Sequence, residues 1–201
     1  MLKRSPDPEE YTQKIRELAE LFNLEAQGAL NVYFADESGF SLTPYVPYGW
    51  QKIGQTDGIP SERSSRINVF GLMSRNNELE TYYSSGSFTS ELIIACIDNF
   101  LVSATKGRTA IIMDNASVHS SAAFKEKIEE WKEQDLYIFF LPRYSPHLNL
   151  IEILWRKIKY EWLKPADYEN LKTLEEALKN ILTGFGRDFF INFKAPEVSN
   201  I

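Results

Sequence analysis

Three acids stand where an α/β chain could do chemistry on phosphate. Asp36 follows the apolar run Val32-Tyr33-Phe34-Ala35, and Asp114 follows Ala110-Ile111-Ile112-Met113. Both runs read as buried strands, and ligands of α/β sheets gather at the carboxyl ends of strands. Two carboxylates on neighbouring strands repel unless one is protonated or a cation lies between them. All-oxygen ligands favour a hard divalent ion such as magnesium or manganese. The alternative is that each Asp only caps the turn after its strand. Glu152 is the third candidate. Asn149-Leu150-Ile151-Glu152 has the spacing of a capping box, and capping is the better reading of those four residues alone. The helix behind them changes the weighing. Glu152, Arg156 and Lys159 recur at i, i+4 and i+7 on one face. One acid followed by two bases suits a metal ligand beside a polyanion; a surface ion pair is the alternative.

Neighbouring residues add candidates. Asn115 and His119, in Asp114-Asn115-Ala116-Ser117-Val118-His119, could orient a carboxylate or hold a phosphate. His119 could equally be satisfied by a backbone carbonyl. From Pro142 to Lys164 five bases (Arg143, Arg156, Lys157, Lys159, Lys164) face two acids (Glu152, Glu161), a net of +3 within a chain of −6. A positive segment on an acidic body fits phosphate contact or a solvated helix face. Tyr144 lies in that segment, in the proline-bracketed loop Pro142-Arg143-Tyr144-Ser145-Pro146. Residues 38–65 look irregular and hold Tyr45, Tyr48, Trp50 and Lys52, rings and a base that could stack on or pair with nucleic acid, or simply fold over one another.

Composition narrows the class. A single cysteine excludes a disulfide framework and a cysteine zinc site, and two histidines exclude a His-rich one. No apolar run exceeds six residues, far short of the roughly 20 a membrane span needs. MLKRSPDPEE passes from bases straight to acids, unlike a signal peptide. The expectation is a reduced, cytoplasmic domain with no membrane partner. Phosphate-binding loops, dinucleotide glycine patterns and Ser-His-Asp orders are absent. Cys96 falls in an apolar helical stripe and reads as core.

The elements that would position the acids follow from periodicity. Asp7-Pro8-Glu9-Glu10 predicts a helix start, with a stripe Tyr11, Ile15, Leu18, Phe22 and a stop at Gly28. Strands are predicted at 30–35, 67–73, 79–83, 110–113 and 136–141, the first ending at Asp36. Helices are predicted at 89–105, 121–134 and 150–163, the last of these with Ile151, Trp155, Ile158 and Trp162 inward. A final helix opens on a capping box Thr173-Leu174-Glu175-Glu176 and stops near Gly184. Helices among five strands, some antiparallel and some joined by helices, give an α/β fold on a central mixed sheet.

FADESGF, IIMDNASVH and LPRYSPHLNLIEILWRKIK resemble the three blocks of the DDE transposases of the mariner superfamily, most like its bacterial insertion-sequence branch. The third block is the most specific. The resemblance covers roughly residues 30–165. It implies an RNase H-like fold, with residues 1–28 as an N-terminal helix and linker, 29–185 as the catalytic domain and 186–201 as a tail. It matches Asp36, Asp114 and Glu152 to the family's metal-binding catalytic acids, with 37 residues between the second and third. Leu150 replaces the family's usual proline. Two Mg²⁺ or Mn²⁺ ions would serve water-driven cleavage of a DNA phosphodiester, then attack by the freed 3′-OH on target DNA. The implied partners are transposon ends and target DNA, a second copy in a homodimer, and an upstream helix-turn-helix segment. The chain would be cytoplasmic, and nucleoid-associated when bound to DNA. Arg143, Tyr144, Arg156, Lys159, Trp50 and Lys52 become candidates for DNA contact. A related nuclease that hydrolyses without joining, and an inactive transposase remnant, are the alternatives.

Overall fold

The computed structural model describes residues 7–43, 66–103, 107–115 and 121–193. His119, Trp50 and Lys52, with Tyr45 and Tyr48, lie outside them. The chain opens on α1 (Pro8–Ala26), whose first amides donate to the Asp7 carboxylate; Gly28, at φ 70°, turns the chain away after its end. Then come β1 (Asn31–Ser41), β2 (Arg66–Ser74), β3 (Leu79–Ser84), α2 (Ser90–Ser103), β4 (Thr109–Met113), α3 (Ala122–Glu133), β5 (Leu136–Phe140), α4 (Ile151–Lys157) and α5 (Leu171–Gly184).

The five strands form one mixed sheet in the order β3-β2-β1-β4-β5. β1 runs antiparallel to β2 and parallel to β4, and β4 is parallel to β5. Alternation along the strands sends side chains to two cores. Val32, Phe34, Ala110 and Ile112 face α1, α4 and α5, meeting Leu18, Ile151, Trp155 and Leu178. Tyr33, Ala35, Ile111 and Met113 face α2 and α3, meeting Ile93, Ile97, Phe124 and Trp131. The mixed five-stranded sheet flanked by helices is thus as expected, and Cys96 is buried in the second core. Leu18 of α1 and Ile191 beyond α5 join the first core. Among the described residues, no helix is long and apolar enough to cross a membrane.

Four local expectations need correction. β1 does not stop at Asp36 but continues to Ser41, because β2 supplies ladder partners from Asp36↔Gly71 to Ser41↔Arg66 after pairing with β4 has ended at Phe34↔Ile112. Residues 38–41, expected to be irregular, are therefore strand. The helix expected over 150–163 is α-helical only to Lys157; Ile158–Trp162 widens into a π-helical turn before the extended Leu163. Asn149 does not cap α4: the capping position falls to Leu150, which makes no side-chain cap bond. Asn149 instead donates its Nδ2 to the Ala35 carbonyl at 3.0 Å. The last helix is capped by Asn170, in a reciprocal box with Thr173, three residues earlier than the expected cap at Thr173.

Candidate active site

Asp36 and Asp114 each stand two residues beyond Phe34↔Ile112, the last couple joining β1 to β4. Parallel strands keep level, so the two acids stand side by side, Asp36 within β1 and Asp114 just past the end of β4. Both have the parity of Phe34 and Ile112, and so share the face on which α4 packs. Glu152 sits in the first turn of α4. Buried Ile151, Leu154 and Trp155 seat that helix on the sheet and leave Glu152 at the surface.

Two further side chains fasten α4 to the strand that carries Asp36. The Asn149 amide bonds the Ala35 carbonyl, where β4 no longer pairs with β1. The Trp155 indole Nε1 donates to Asp36 Oδ2 at 3.1 Å. The ring has room because residue 71, directly opposite Asp36 in the ladder, is glycine. A Cβ there would come within 2.9 Å of the indole. By spacing alone Trp155 reads as a core residue and Asn149 as a cap, and Gly71 does not stand out. A buried Trp needs a partner for its N–H, and that was the available signal.

Electrostatics bind the three acids into one system. Burial, then the charges of Glu152, Glu37 and Asp114, push the Asp36 carboxyl up to about 8. Glu152 is also raised, first by partial burial and further by Asp114, with Lys159 opposing. Lys159, in the π-helical turn, is lowered by burial and by Arg66, while Glu152 and Asp36 favour its charge. Its ammonium sits 5.2 Å from the centre of the Phe40 ring.

Asp114 and Glu152 open on two adjoining hollows that share Pro146. One, of about 510 Å³, is lined by Asp114, Asn115, Arg143 and Tyr144. The other, of about 620 Å³, is lined by Glu152, Arg156, Lys159, His147 and Tyr160. Tyr144 is half exposed and its backbone lies in the left-handed region at φ 61°, an uncommon state for an aromatic residue and one that occurs at functional loops. The Tyr11 hydroxyl meets His147 Nε2 at 3.0 Å, joining α1 to the 3-10 turn Pro146–Leu148. The structure thus gathers Asn115, Arg143, Tyr144, Arg156 and Lys159 around the acids. Among the described residues, no group of three or more His, Cys, Asp or Glu side chains is drawn tightly enough to hold an ion as it stands. The donor set still suits a hard divalent cation. It is all oxygen, it shares one face, and it contains a carboxyl that burial first, and like-charged neighbours after it, hold above the usual carboxylate range.

A mixed five-stranded sheet of this order, flanked by helices, is an RNase H-like fold. The DDE superfamily endonuclease profile matches residues 31–175, and the chain belongs to that family. No curated protein sequence matches it. Among solved structures it is similar to the Mos1 strand transfer complex, at 12% identity and TM-score 0.61, over 91% of this chain and 56% of that one. It is similar to the Mos1 mariner paired end complex with Mn, at 11% identity and TM-score 0.61, over 91% and 57%. It is similar to the catalytic domain of Mos1 mariner transposase, at 10% identity and TM-score 0.58, over 91% and 85%. The chain therefore spans little more than half of the longer Mos1 chains and most of their isolated catalytic domain.

Proposed function

We propose that this chain is the catalytic domain of a DNA transposase that cuts and rejoins DNA in the presence of Mg²⁺ or Mn²⁺. The observation that carries the reading is the sharing of one sheet face by Asp36, Asp114 and Glu152, with Asp36 raised in part by the other two and Glu152 in part by Asp114. Family membership and the likeness to the Mos1 catalytic domain support it. The three acids would hold two cations. When bound, such ions lower the pKa of an attacking water and take up charge on a leaving oxygen.

The chain's own residues account for the rest. Asp36, held up first by burial and then by its negative neighbours, would give up its proton to join the donor set. Arg143, Arg156 and Lys159 face the phosphates on either side of the reacting one. Tyr144 offers an exposed ring for a base to stack on. Asn115 borders Asp114 in the same hollow, where its amide can bond a phosphate oxygen. In cleavage, water forms a new P–O bond as the P–O3′ bond breaks, leaving a 3′-OH and a 5′-phosphate. In joining, that 3′-OH attacks a target phosphodiester and a second 3′ oxygen departs, so one ester bond replaces another. Neither step needs a covalent enzyme intermediate. Residues 29–185 form the catalytic unit in this reading. A second copy and a helix-turn-helix segment would supply synapsis and end recognition.

Asp114→Asn tests the proposal. It removes one ligand charge at nearly constant shape. Mn²⁺-dependent nicking of a supercoiled plasmid should fall at least 100-fold, with the circular dichroism spectrum unchanged. Nicking at the wild-type rate would reject the reading. Joining of pre-cut ends separates a transposase from a simple nuclease.

A further inference from the structure

Around Asp36 the strand, the opposite glycine and one indole form a connected device. Asp36 and Gly71 are direct partners in the β1–β2 ladder. The Trp155 ring fills the space that a side chain at residue 71 would take, and its Nε1 donates to Asp36 Oδ2. Trp155 is 2% exposed, so its N–H has no ready alternative in water. The ring also meets Phe40 edge-on, at 6.2 Å between centres, so a second neighbour fixes its plane.

We infer that Trp155 is a positioning residue for the metal ligand Asp36, and that Gly71 is glycine because the edge of the indole must come close against the sheet there to reach that carboxylate. Resting on the function proposed above, the inference gives α4 two tasks. It carries Glu152, and one turn later it sets the rotation of the acid on β1. Holding one carboxylate oxygen fixes the side-chain torsion before any cation arrives, so less freedom is lost on binding. Partners that orient metal ligands in this way typically change metal affinity by about 10–100-fold when removed. A tryptophan that merely fills the core would affect stability and leave metal affinity alone.

Trp155→Phe keeps a ring in the slot and removes the N–H. Isothermal titration calorimetry of the full chain with Mn²⁺ should show affinity about tenfold weaker than wild type. The Mn²⁺ concentration for half-maximal nicking should rise in parallel, while the rate at saturating Mn²⁺ stays within about threefold. Gly71→Ala keeps the indole but pushes the ring off the sheet, and should weaken Mn²⁺ binding in the same direction. If Trp155→Phe does not fold, Gly71→Ala decides by the same readings. Wild-type affinity in a folded variant would overturn the inference alone. Failure of the wild-type chain to bind Mn²⁺ at all would overturn the proposed function with it.

Discussion

Asp36 carries its carboxyl inside a strand, largely buried, beside two other acids. Its ordinary value is 3.8 and its value here is about 8, chiefly through burial. Between those two values the folded chain keeps a proton that the unfolded chain has lost. Without a divalent ion, the group's contribution to stability is therefore fully present below about pH 4 and declines as pH rises towards 8, by on the order of 1 kcal/mol per unit. Asp36→Asn removes the titration and keeps the shape. In EDTA it should raise Tm more at pH 8 than at pH 5, and thermal melts that shift equally at both would contradict this. Mn²⁺ should raise the wild-type Tm at pH 8 and leave the variant unmoved. The acids were legible from their places after two apolar runs and at a helix start. The bonds made by Asn149 and Trp155 were not, because each reaches a residue more than a hundred positions away, which local spacing does not report.

Helices on the two faces of the sheet do different work. α1, α4 and α5 cover the face that bears the acids, while α2 and α3 cover the other. Trp131 anchors the second group: fully buried, it packs edge-on against Phe124 at 5.4 Å and donates its indole N–H to Asp98 of α2 at 2.7 Å. Trp131→Ala should cost about 3–5 kcal/mol in urea unfolding. The folded fraction should still bind Mn²⁺ with wild-type affinity, because the lost packing lies across the sheet from the acids. Strands and most helix starts could be read from periodicity and, for α1, from the Asp7 cap. The ends were less legible. The extension of β1 to Ser41 depends on β2, a partner some thirty residues away, and nothing in the local spacing marks the π-helical turn, at whose end Trp162 meets Phe185 and Phe189.

The whole molecule is acidic, at −6, yet Arg143, Arg156 and Lys159 ring the hollows beside the acids. DNA binding by this chain should therefore be weak, insensitive to sequence and strongly dependent on salt. Fluorescence anisotropy across a KCl series should show affinity falling as a power of salt concentration. Arg156→Ala should flatten that slope by about one phosphate contact; an unchanged slope would remove Arg156 from the interface. The continuation of β1 past Asp36 has a consequence for how such a protein can change over time. Five ladder couples, Glu37↔Phe70 to Ser41↔Arg66, separate the carboxylate from the segment that joins β1 to β2. A change in the length or sequence of that segment therefore leaves the Asp36↔Gly71 couple buffered by five rungs of backbone hydrogen bonding, so the two can evolve separately.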